Sequence, residues 1–211
     1  MRRFSGLILA LAAALFPLAS AYGVAAGARA PQGAASNTAT TTPRLRYTID
    51  ATASSVSAKV PFFGIASKTA RFPRMAGSVT IVPGKPDAAR IDVTFDATAL
   101  EAPDETTLER LRGEKFFWVE KYPEVRFVGD KLELTSATKG TLTGQLTARG
   151  VTRPATLAVE FNTAPLSAPA GAAIRFTAKT KIDRREYGMN SYQLIVGNKV
   201  KITLEATMRP S

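Results

Sequence analysis

Two aspartates on one predicted strand have the spacing that most resembles a catalytic pair. Asp92 and Asp96 lie four residues apart, so both carboxylates fall on one face of an extended strand, as in sites that use two carboxylates as acid and base. The apolar residues between them, Ile91, Val93 and Phe95, must face a core. We therefore interpret the two aspartates as part of a solvated outer face.

The other candidate chemistry is equally limited. Residues 183–186 read Asp-Arg-Arg-Glu, which we interpret as ion pairing at a surface or barrel rim. The chain has no histidine and no cysteine, the side chains on which Ser-His-Asp hydrolysis, cysteine nucleophiles and most zinc or copper sites depend. It has no glycine-rich phosphate loop and no calcium loop. The sequence predicts a non-enzyme with no catalytic residues, no metal and no cofactor.

The first 44 residues predict export. Arg2 and Arg3 precede an apolar run over 6–16, and Ala19-Ser20-Ala21 follows as a small-residue cleavage site, so residues 1–21 are predicted to be a signal peptide. Residues 22–44 consist mostly of Ala, Gly, Thr, Ser, Asn and Pro and predict a disordered low-complexity linker. The remaining 45–209 suit one domain with a single core.

The positive charge indicates the kinds of partner that are open to the protein. The formal net charge is +11, and it falls to +9 once Arg2 and Arg3 are removed. Such a charge favours anionic partners and also keeps a protein soluble, and the scattered basic residues favour solubility. The aromatic residues follow the phase of the buried aliphatic residues, so we predict no nucleic-acid partner.

Period-two alternation dominates the predicted domain. Residues 91–97 place Ile91, Val93, Phe95 and Ala97 on one face, and shorter runs with the same rhythm recur between turn residues. Eight or nine such strands predict all-β structure, as either a sandwich or a closed barrel. One segment differs, because Asp104 is a plausible N-cap for a short helix that ends at Arg112.

The segment from Gly144 to Pro154 predicts a hairpin. Leu142, Gly144 and Leu146 share one side of a strand, Gly150 suits a turn with positive φ, and a second alternating strand is predicted to begin at Thr156. A barrel of about eight strands is wide enough to be filled by its own side chains or to hold one small ligand. Both alternatives remain open from the residues alone.

Four blocks of sequence, in order, resemble the YceI-like family. They are Tyr47-Thr48-Ile49-Asp50, the stretch from Leu111 to Phe127, the Gly144–Pro154 segment and the stretch from Ile182 to Met189. The resemblance covers residues 45–208. It implies a lipocalin-like antiparallel β-barrel of about eight strands, with a short helix between strands, exported to the bacterial periplasm.

The resemblance also implies a function. Members of the family bind a long-chain amphiphile inside the barrel, such as a polyisoprenoid, an isoprenoid quinone, a polyprenyl pyrophosphate or a fatty amide, and are taken to carry or store it. The expected partner is therefore an apolar-chain lipid, with transient contact to a membrane surface. The oligomeric state is left open, with a dimer as one alternative. Where the family commonly has histidine, Arg110 offers a positive donor to a phosphate or carbonyl headgroup.

Alternation and aromatic clustering select the residues expected to form the cavity wall. These are Val60, Phe62, Val93, Phe95, Phe116, Phe117, Phe127, Leu146, Val159, Phe161 and Phe176. Arg110, Arg112 and Tyr187 are the headgroup candidates at the barrel mouth. The alternative function is a non-catalytic envelope or stress protein with a filled barrel and a basic face that binds anionic partners, and an enzyme acting on a lipid headgroup ranks third.

Overall fold

The computed structural model describes residues 44–169 and 171–211, and the predicted signal peptide and all but the last residue of the predicted linker lie outside them. Alternating residues build ten strands in this part of the chain. The strands are β1 Leu45–Ile49, β2 Ser55–Phe62, β3 Ala66–Phe72, β4 Met75–Val82, β5 Lys85–Asp96, β6 Glu124–Leu134, β7 Lys139–Ala148, β8 Val151–Phe161, β9 Ile174–Asp183 and β10 Lys199–Pro210. One α-helix, α1, spans Glu105–Arg112.

The strands form one antiparallel sheet that closes on itself. The neighbour order is β1-β4-β5-β6-β7-β8-β9-β10, and a further pairing between β1 and β10 completes the ring. The β2–β3 hairpin pairs with another stretch of β10. The predicted antiparallel barrel of about eight strands with a short helix is confirmed, and the sandwich alternative is not observed.

One edge of β10 pairs with β9, and its other edge is shared between β1 and β2, which are joined by a short turn. Asp50 accepts hydrogen bonds from the backbone N–H groups of Thr52 and Ala53 at 3.0 and 3.2 Å, and its second oxygen accepts one from Arg209 at 2.6 Å. Hydrogen bonds from the Thr52 hydroxyl and then Arg209 lower the pKa of Asp50 to about 2. After this turn β2 and β3 diverge from β1 and β4, and this divergence opens one end of the barrel.

A long connection between β5 and β6 covers the open end. The backbone N–H of Ala97 donates to the carbonyl of Pro123 at 2.8 Å, so residues 97–123 leave and return at one place. Two backbone hydrogen bonds between Arg71 and Glu101 attach this connection to β3. It contains α1, whose N-cap Asp104 accepts from the Thr107 N–H at 2.8 Å, as predicted. Within the described ranges, no helix is long and apolar enough to cross a membrane.

The predicted hairpin at Gly144–Pro154 forms between β7 and β8. Arg149 and Gly150 occupy its two turn positions at φ values of 51° and 72°, as a two-residue type I′ turn requires. The second strand begins at Val151, five residues before the expected start at Thr156. Because a two-residue turn pairs Ala148 directly with Val151, pairing starts at once, and Pro154 is accommodated at an exposed position.

Two glycines face each other inside the barrel wall. Gly129 of β6 pairs with Gly144 of β7, beside a shift in register between Gly129 and Lys131. A Cβ on Gly144 would overlap the carbonyl oxygen of Val128 and would lie 2.7 Å from the Gly129 Cα and 2.8 Å from the Phe127 ring. The absence of side chains at this pair leaves space for the Phe127 ring, which faces the interior.

The end of the barrel opposite α1 is closed by packed side chains. Ile81, Leu132, Ile174 and Met208 lie near the ends of four strands there, and each is at most 2% exposed. Any large internal space must therefore lie toward the end that α1 covers.

We expect Gly144→Ala to lower the free energy of unfolding by about 2–3 kcal/mol, because the added methyl group would force a backbone shift where two strands already touch. Urea unfolding followed by circular dichroism measures the change. Gln145→Ala, at the next and exposed position, is the control and should change stability by less than about 0.5 kcal/mol. Equal effects of the two substitutions would contradict the close approach at Gly144.

Candidate functional site

The barrel interior contains an apolar cavity of about 110 Å³, here called the inner cavity. Among its described lining residues, only Thr180 and Arg184 have polar side chains. A single water needs roughly 10–15 Å³ on this measure, so the space is several times larger than one water molecule. The barrel interior therefore contains space that its own side chains do not occupy.

A second cavity of about 220 Å³, here called the mouth cavity, lies between β2, β3, α1 and the loop at 188–198. It shares part of its wall with the inner cavity. The residues common to both walls are Ala58, Phe117, Arg184, Met189 and Val200. These side chains form the boundary between the two spaces.

The helix α1 presents one face to the mouth cavity. Thr106, Thr107, Arg110 and Leu111 line it, which places two adjacent pairs one turn apart on a single broad helix face. The cap at Asp104 fixes where the helix begins and therefore which face turns inward. Arg112 lies about 200° around the helix from Arg110, so its side chain points away, and it donates instead to the Thr98 carbonyl at 3.2 Å.

Cationic groups surround the mouth cavity. The Lys68 ammonium lies 2.7 Å from Asp104 and 5.5 Å from the centre of the Phe62 ring. Arg110 and Lys115 both approach the Tyr192 ring, at 5.8 and 5.5 Å from its centre. The hydrogen bond from Lys68 is the main reason why the pKa of Asp104 falls to about 2, and this carboxylate is therefore ionised at neutral pH. It pairs with Lys68, whereas Arg110 and Lys115 have no ion-pair partner in the described ranges.

Arg184 is the most unusual side chain at the boundary of the two cavities. It is 3% exposed, and its guanidinium donates to three backbone carbonyls: Gly197 at 3.0 Å, Val196 at 2.9 Å, and Met189. It also lies 5.8 Å from the Phe116 ring centre. Burial lowers the pKa of the guanidinium, against the opposing effect of the Asp183 charge.

The neighbouring carboxylate is already neutralised by other cations. Asp183 is buried and pairs with Arg185 at 2.6 Å and with Lys199 at 3.3 Å. Arg184 forms no ion pair within the described part of the chain. Of its five N–H groups, three have carbonyl acceptors, so the remaining donors at the cavity boundary are open to a polar group of a ligand.

The structure brings nine of the eleven predicted cavity residues to the two cavities. Val60, Phe62 and Phe116 line the mouth cavity, and Phe117 lines both cavities. The inner cavity is lined by Val93, Phe95, Phe127, Leu146 and Phe176. Alternation identified the strand residues, because the inward phase of each strand is also the cavity phase, and aromatic clustering identified Phe116 and Phe117 in the connection after α1.

Four predicted site residues lie elsewhere. Val159 and Phe161 line a separate space of about 20 Å³ near the closed end, because β8 runs away from the mouth. Arg112 points away from the cavity because it lies on the opposite face of α1 from Arg110. Tyr187, predicted at the mouth, is 1% exposed and lines neither main cavity; burial raises the pKa of its hydroxyl.

The main residue that sequence reasoning missed is Arg184, which was interpreted as part of a rim cluster with Asp183. A signal for it was present. Thr180, Ile182 and Arg184 fall on one strand phase, and all three line the inner cavity. Tyr192, Ile195 and Val196 at the mouth were also missed, because they lie in an irregular loop that has no period.

The carboxylates of the predicted outer face are engaged in structural contacts. Asp92 accepts two hydrogen bonds from Arg126 at 2.8 and 2.5 Å. Asp96 caps the turn at Ala97–Ala99 and lies 3.7 Å from Arg74. Across residues 44–169 and 171–211, no group of three or more acidic side chains could hold a metal ion.

These features define a class: a closed antiparallel β-barrel with an apolar internal cavity and a cationic mouth. Residues 47–208 match the sequence profile of the YceI-like domain. The chain belongs to the YceI-like family, and the resemblance seen in the four sequence blocks is confirmed.

Individual relatives share less than a third of their aligned residues with this chain. A UPF0312 protein of Pseudomonas putida strain GB-1 is 28% identical over 131 residues, which cover 62% of this chain and 68% of the relative. Among solved structures, BcnA of Burkholderia cenocepacia superposes with a TM-score of 0.67 at 22% identity, covering 75% of this chain and 98% of BcnA. A polyisoprenoid binding domain from Saccharophagus degradans gives 0.59 at 15% identity, covering 79% and 99%. At these identities the solved structures show a shared fold.

We expect Asp183→Asn to reduce the pH dependence of stability in acid. The hydrogen bond from the Arg185 side chain holds the pKa of Asp183 below its usual range, despite opposing burial. Its ionised form therefore stabilises the fold above pH of about 4, and this stabilisation is lost as the pH falls below that value. Urea midpoints measured from neutral to acidic pH should decline less in the variant, from a lower starting value.

Asp130→Asn is the matched control, because this exposed carboxylate makes no ion pair within the described ranges. It should leave the pH profile unchanged. Parallel profiles for wild type and Asp183→Asn would show that Asp183 does not contribute as its geometry indicates.

Proposed function

We propose that the protein is a periplasmic carrier that binds one long-chain amphiphile without chemical change, with the apolar chain in the inner cavity and the polar end at the mouth. Candidate ligands are a polyisoprenoid, an isoprenoid quinone and a fatty amide. The observation that carries the proposal is the inner cavity, whose described wall has only two polar side chains.

Burial of the chain supplies the affinity. An apolar chain gains about 0.8 kcal/mol for each CH₂ group removed from water, so a five-carbon isoprenoid unit contributes up to about 4 kcal/mol. A flexible chain has room beyond the inner cavity, because the adjacent mouth cavity is about twice as large. The inner wall holds aromatic rings of different orientation, such as Phe72 and Phe117, whose planes lie 78° apart and suit a branched chain without dictating its length.

The polar end of the ligand is assigned to the mouth. Arg110 lines the mouth cavity with no carboxylate partner within the described ranges, and Arg184 has donors left at the boundary. Guanidinium groups bind phosphate or carbonyl oxygen through several N–H donors at once. A phosphate, a carboxylate, an amide or a quinone carbonyl would fit this arrangement.

Relatives and the N-terminus support the proposal. The solved neighbour from Saccharophagus degradans is described as a polyisoprenoid binding domain. The sequence of residues 1–21 favours export and hence a periplasmic site of action. A carrier without a catalytic step agrees with a chain that has neither histidine nor cysteine.

The decisive experiment is organic extraction of the protein purified from its native host, followed by mass spectrometry. We expect one apolar-chain compound in stoichiometric amount. To separate specific from adventitious lipid, Ala58→Phe is purified in parallel, because Ala58 lines both cavities and a ring there would block passage between them. Lipid recovery and uptake in vitro should fall at least tenfold.

Ala76→Phe provides the control, since Ala76 is exposed on β4 and its substitution adds the same ring outside the barrel. Thermal unfolding confirms that both variants are folded. Recovery of no stoichiometric lipid, with no uptake of quinone or polyprenyl lipid by the wild type, would sink the carrier proposal. Equal recovery from both variants would instead exclude the cavity as the binding site.

The role of Arg110 is tested with two ligands that differ only in the phosphate. Arg110→Gln should weaken binding of geranylgeranyl phosphate about tenfold and leave binding of geranylgeraniol unchanged, because only the phosphate accepts a charge-assisted hydrogen bond. Arg112→Gln, on the opposite face of the same helix, should change neither affinity. If the two variants weaken phosphate binding equally, Arg110 acts through overall charge and makes no direct contact.

A further inference from the structure

Exposed apolar side chains concentrate on two loops at the mouth. Phe63 and Ile65, in the turn between β2 and β3, are 61% and 96% exposed, and Leu194, in the loop at 188–198, is 100% exposed. We call these three residues the apolar tip. Elsewhere in the described chain, the large exposed apolar or aromatic residues are Tyr192, on the same loop, and Val128. Contiguous exposed apolar side chains are a common feature of interaction sites.

The backbone holds the two loops of the tip together. The N–H of Phe63 donates to the Ile195 carbonyl at 2.8 Å, and the N–H of Gly197 donates to the Pro61 carbonyl at 2.8 Å. Phe63 and Tyr192 both adopt left-handed backbone conformations, with φ of 51° and 57°. Such conformations cost energy in aromatic residues and are found most often at functional sites, and here one lies in each of the two loops that carry the tip.

Three lysines lie side by side on the outer barrel wall near the tip. Lys201 of β10 pairs in register with Lys59 of β2 on one side and with Lys181 of β9 on the other, and all three are exposed. We call them the lysine row. Like charges directly opposite one another across strands destabilise a sheet. None of the three forms an ion pair within the described chain, so the fold leaves this repulsion uncompensated.

Further positive charge extends the lysine row. A shallow outer depression of about 470 Å³ is lined by Lys59, Lys201 and Arg71, and its one acidic lining residue is Glu205. Lys179, two residues from Lys181 on the same face of β9, is also exposed. The concentrated charge is therefore complementary to an anionic surface, in contrast to the scattered basic residues that the sequence indicated.

The spacing of the tip and the row fits an interface between water and lipid. Phe63 follows Lys59 by four residues, a distance of about 13 Å along a strand at roughly 3.3 Å per residue. Apolar side chains of peripheral proteins enter a bilayer by about 5–10 Å. With the tip at that depth, the long lysine side chains reach the level of the lipid phosphates.

We propose that the protein docks mouth-first on an anionic lipid bilayer, with Phe63, Ile65 and Leu194 in the acyl boundary and the lysine row against the headgroups. In this orientation the mouth cavity opens onto the bilayer, since Phe62 and Ile195 line the cavity beside Phe63 of the tip. An apolar chain then passes between bilayer and barrel without exposure to water. The docking goes beyond ligand binding and does not require a loaded cavity.

Sedimentation with lipid vesicles tests the proposal on the mature chain. Vesicles of phosphatidylethanolamine and phosphatidylglycerol should bind the protein, binding should weaken with added salt, and phosphatidylcholine vesicles should bind far less. The double variant Ile65→Ser/Leu194→Ser should bind anionic vesicles at least tenfold more weakly, because both side chains lose apolar contact. Val128→Ser, an exposed apolar residue on β6, is the control and should bind as wild type does.

A charge-matched pair of triple variants tests the lysine row. Lys59→Gln/Lys181→Gln/Lys201→Gln should lower the affinity for anionic vesicles on the order of 100-fold, at about fivefold for each lysine near the surface. Lys85→Gln/Lys131→Gln/Lys139→Gln removes the same charge from strand ends at the closed end and should have a much smaller effect. Thermal unfolding and uptake of detergent-dispersed lipid verify that each variant is folded and competent to bind ligand.

Three outcomes would overturn the docking. If the lysine row is needed for binding but the tip is not, and a soluble polyanion competes fully, the surface binds an anionic polymer. If the wild type self-associates and Leu194→Ser abolishes the association, the tip binds a second copy of the chain. If both triple variants lose affinity equally, net charge alone attracts the protein and the row has no special role. Loss of docking with normal lipid uptake separates this inference from the carrier function.

Discussion

The structure depends on the way one edge of β10 divides its pairing between two strands, while its other edge pairs with β9 along most of its length. Its last residues pair with β1 and close the barrel, whereas its middle pairs with β2, which belongs to a hairpin that has left the ring. Asp50 stabilises the point where the pairing changes from β1 to β2. It caps the turn that joins these two strands, and it forms an ion pair with Arg209 of β10. One end of the sheet can therefore pack tightly around residues such as Leu132, while the other end opens enough to contain a cavity.

The local features of the chain were predictable from its residue pattern, whereas the closed barrel was predictable only through the resemblance to the YceI-like family. Alternation located the strands, the Asp104 cap located α1, and the inward phase identified residues such as Phe95 and Phe127. Whether those strands formed a sandwich or a barrel depends on pairings between distant segments, which a single sequence does not encode locally. The start of β8 was misplaced because the two-residue turn at Arg149-Gly150 was not recognised as such.

The cavity residues illustrate the same limit at the level of single side chains. Arg110 and Arg112 have the same charge and are separated by one residue, yet helix geometry turns only Arg110 inward. Arg184 and Arg185 are adjacent. Arg184 continues the inward-facing alternation of Ile182 and is buried, whereas Arg185 faces outward and forms an ion pair with Asp183. In each pair the type of residue indicates positive charge, but its role depends on the direction of the Cα–Cβ bond. Irregular loops such as 188–198 have no period from which such directions can be inferred.

The hydrogen bond between Ala97 and Pro123 has a consequence for how new specificities can arise on this barrel. It joins the two ends of the 97–123 connection at the point where the β5–β6 ladder stops, and the paired hydrogen bonds between Arg71 and Glu101 attach the connection to β3 as well. Changes in its length or composition would alter one wall of the cavity without shifting the register of a strand. Replacing this connection by one of different composition would therefore change the lining of the mouth cavity while the barrel strands keep their pairing.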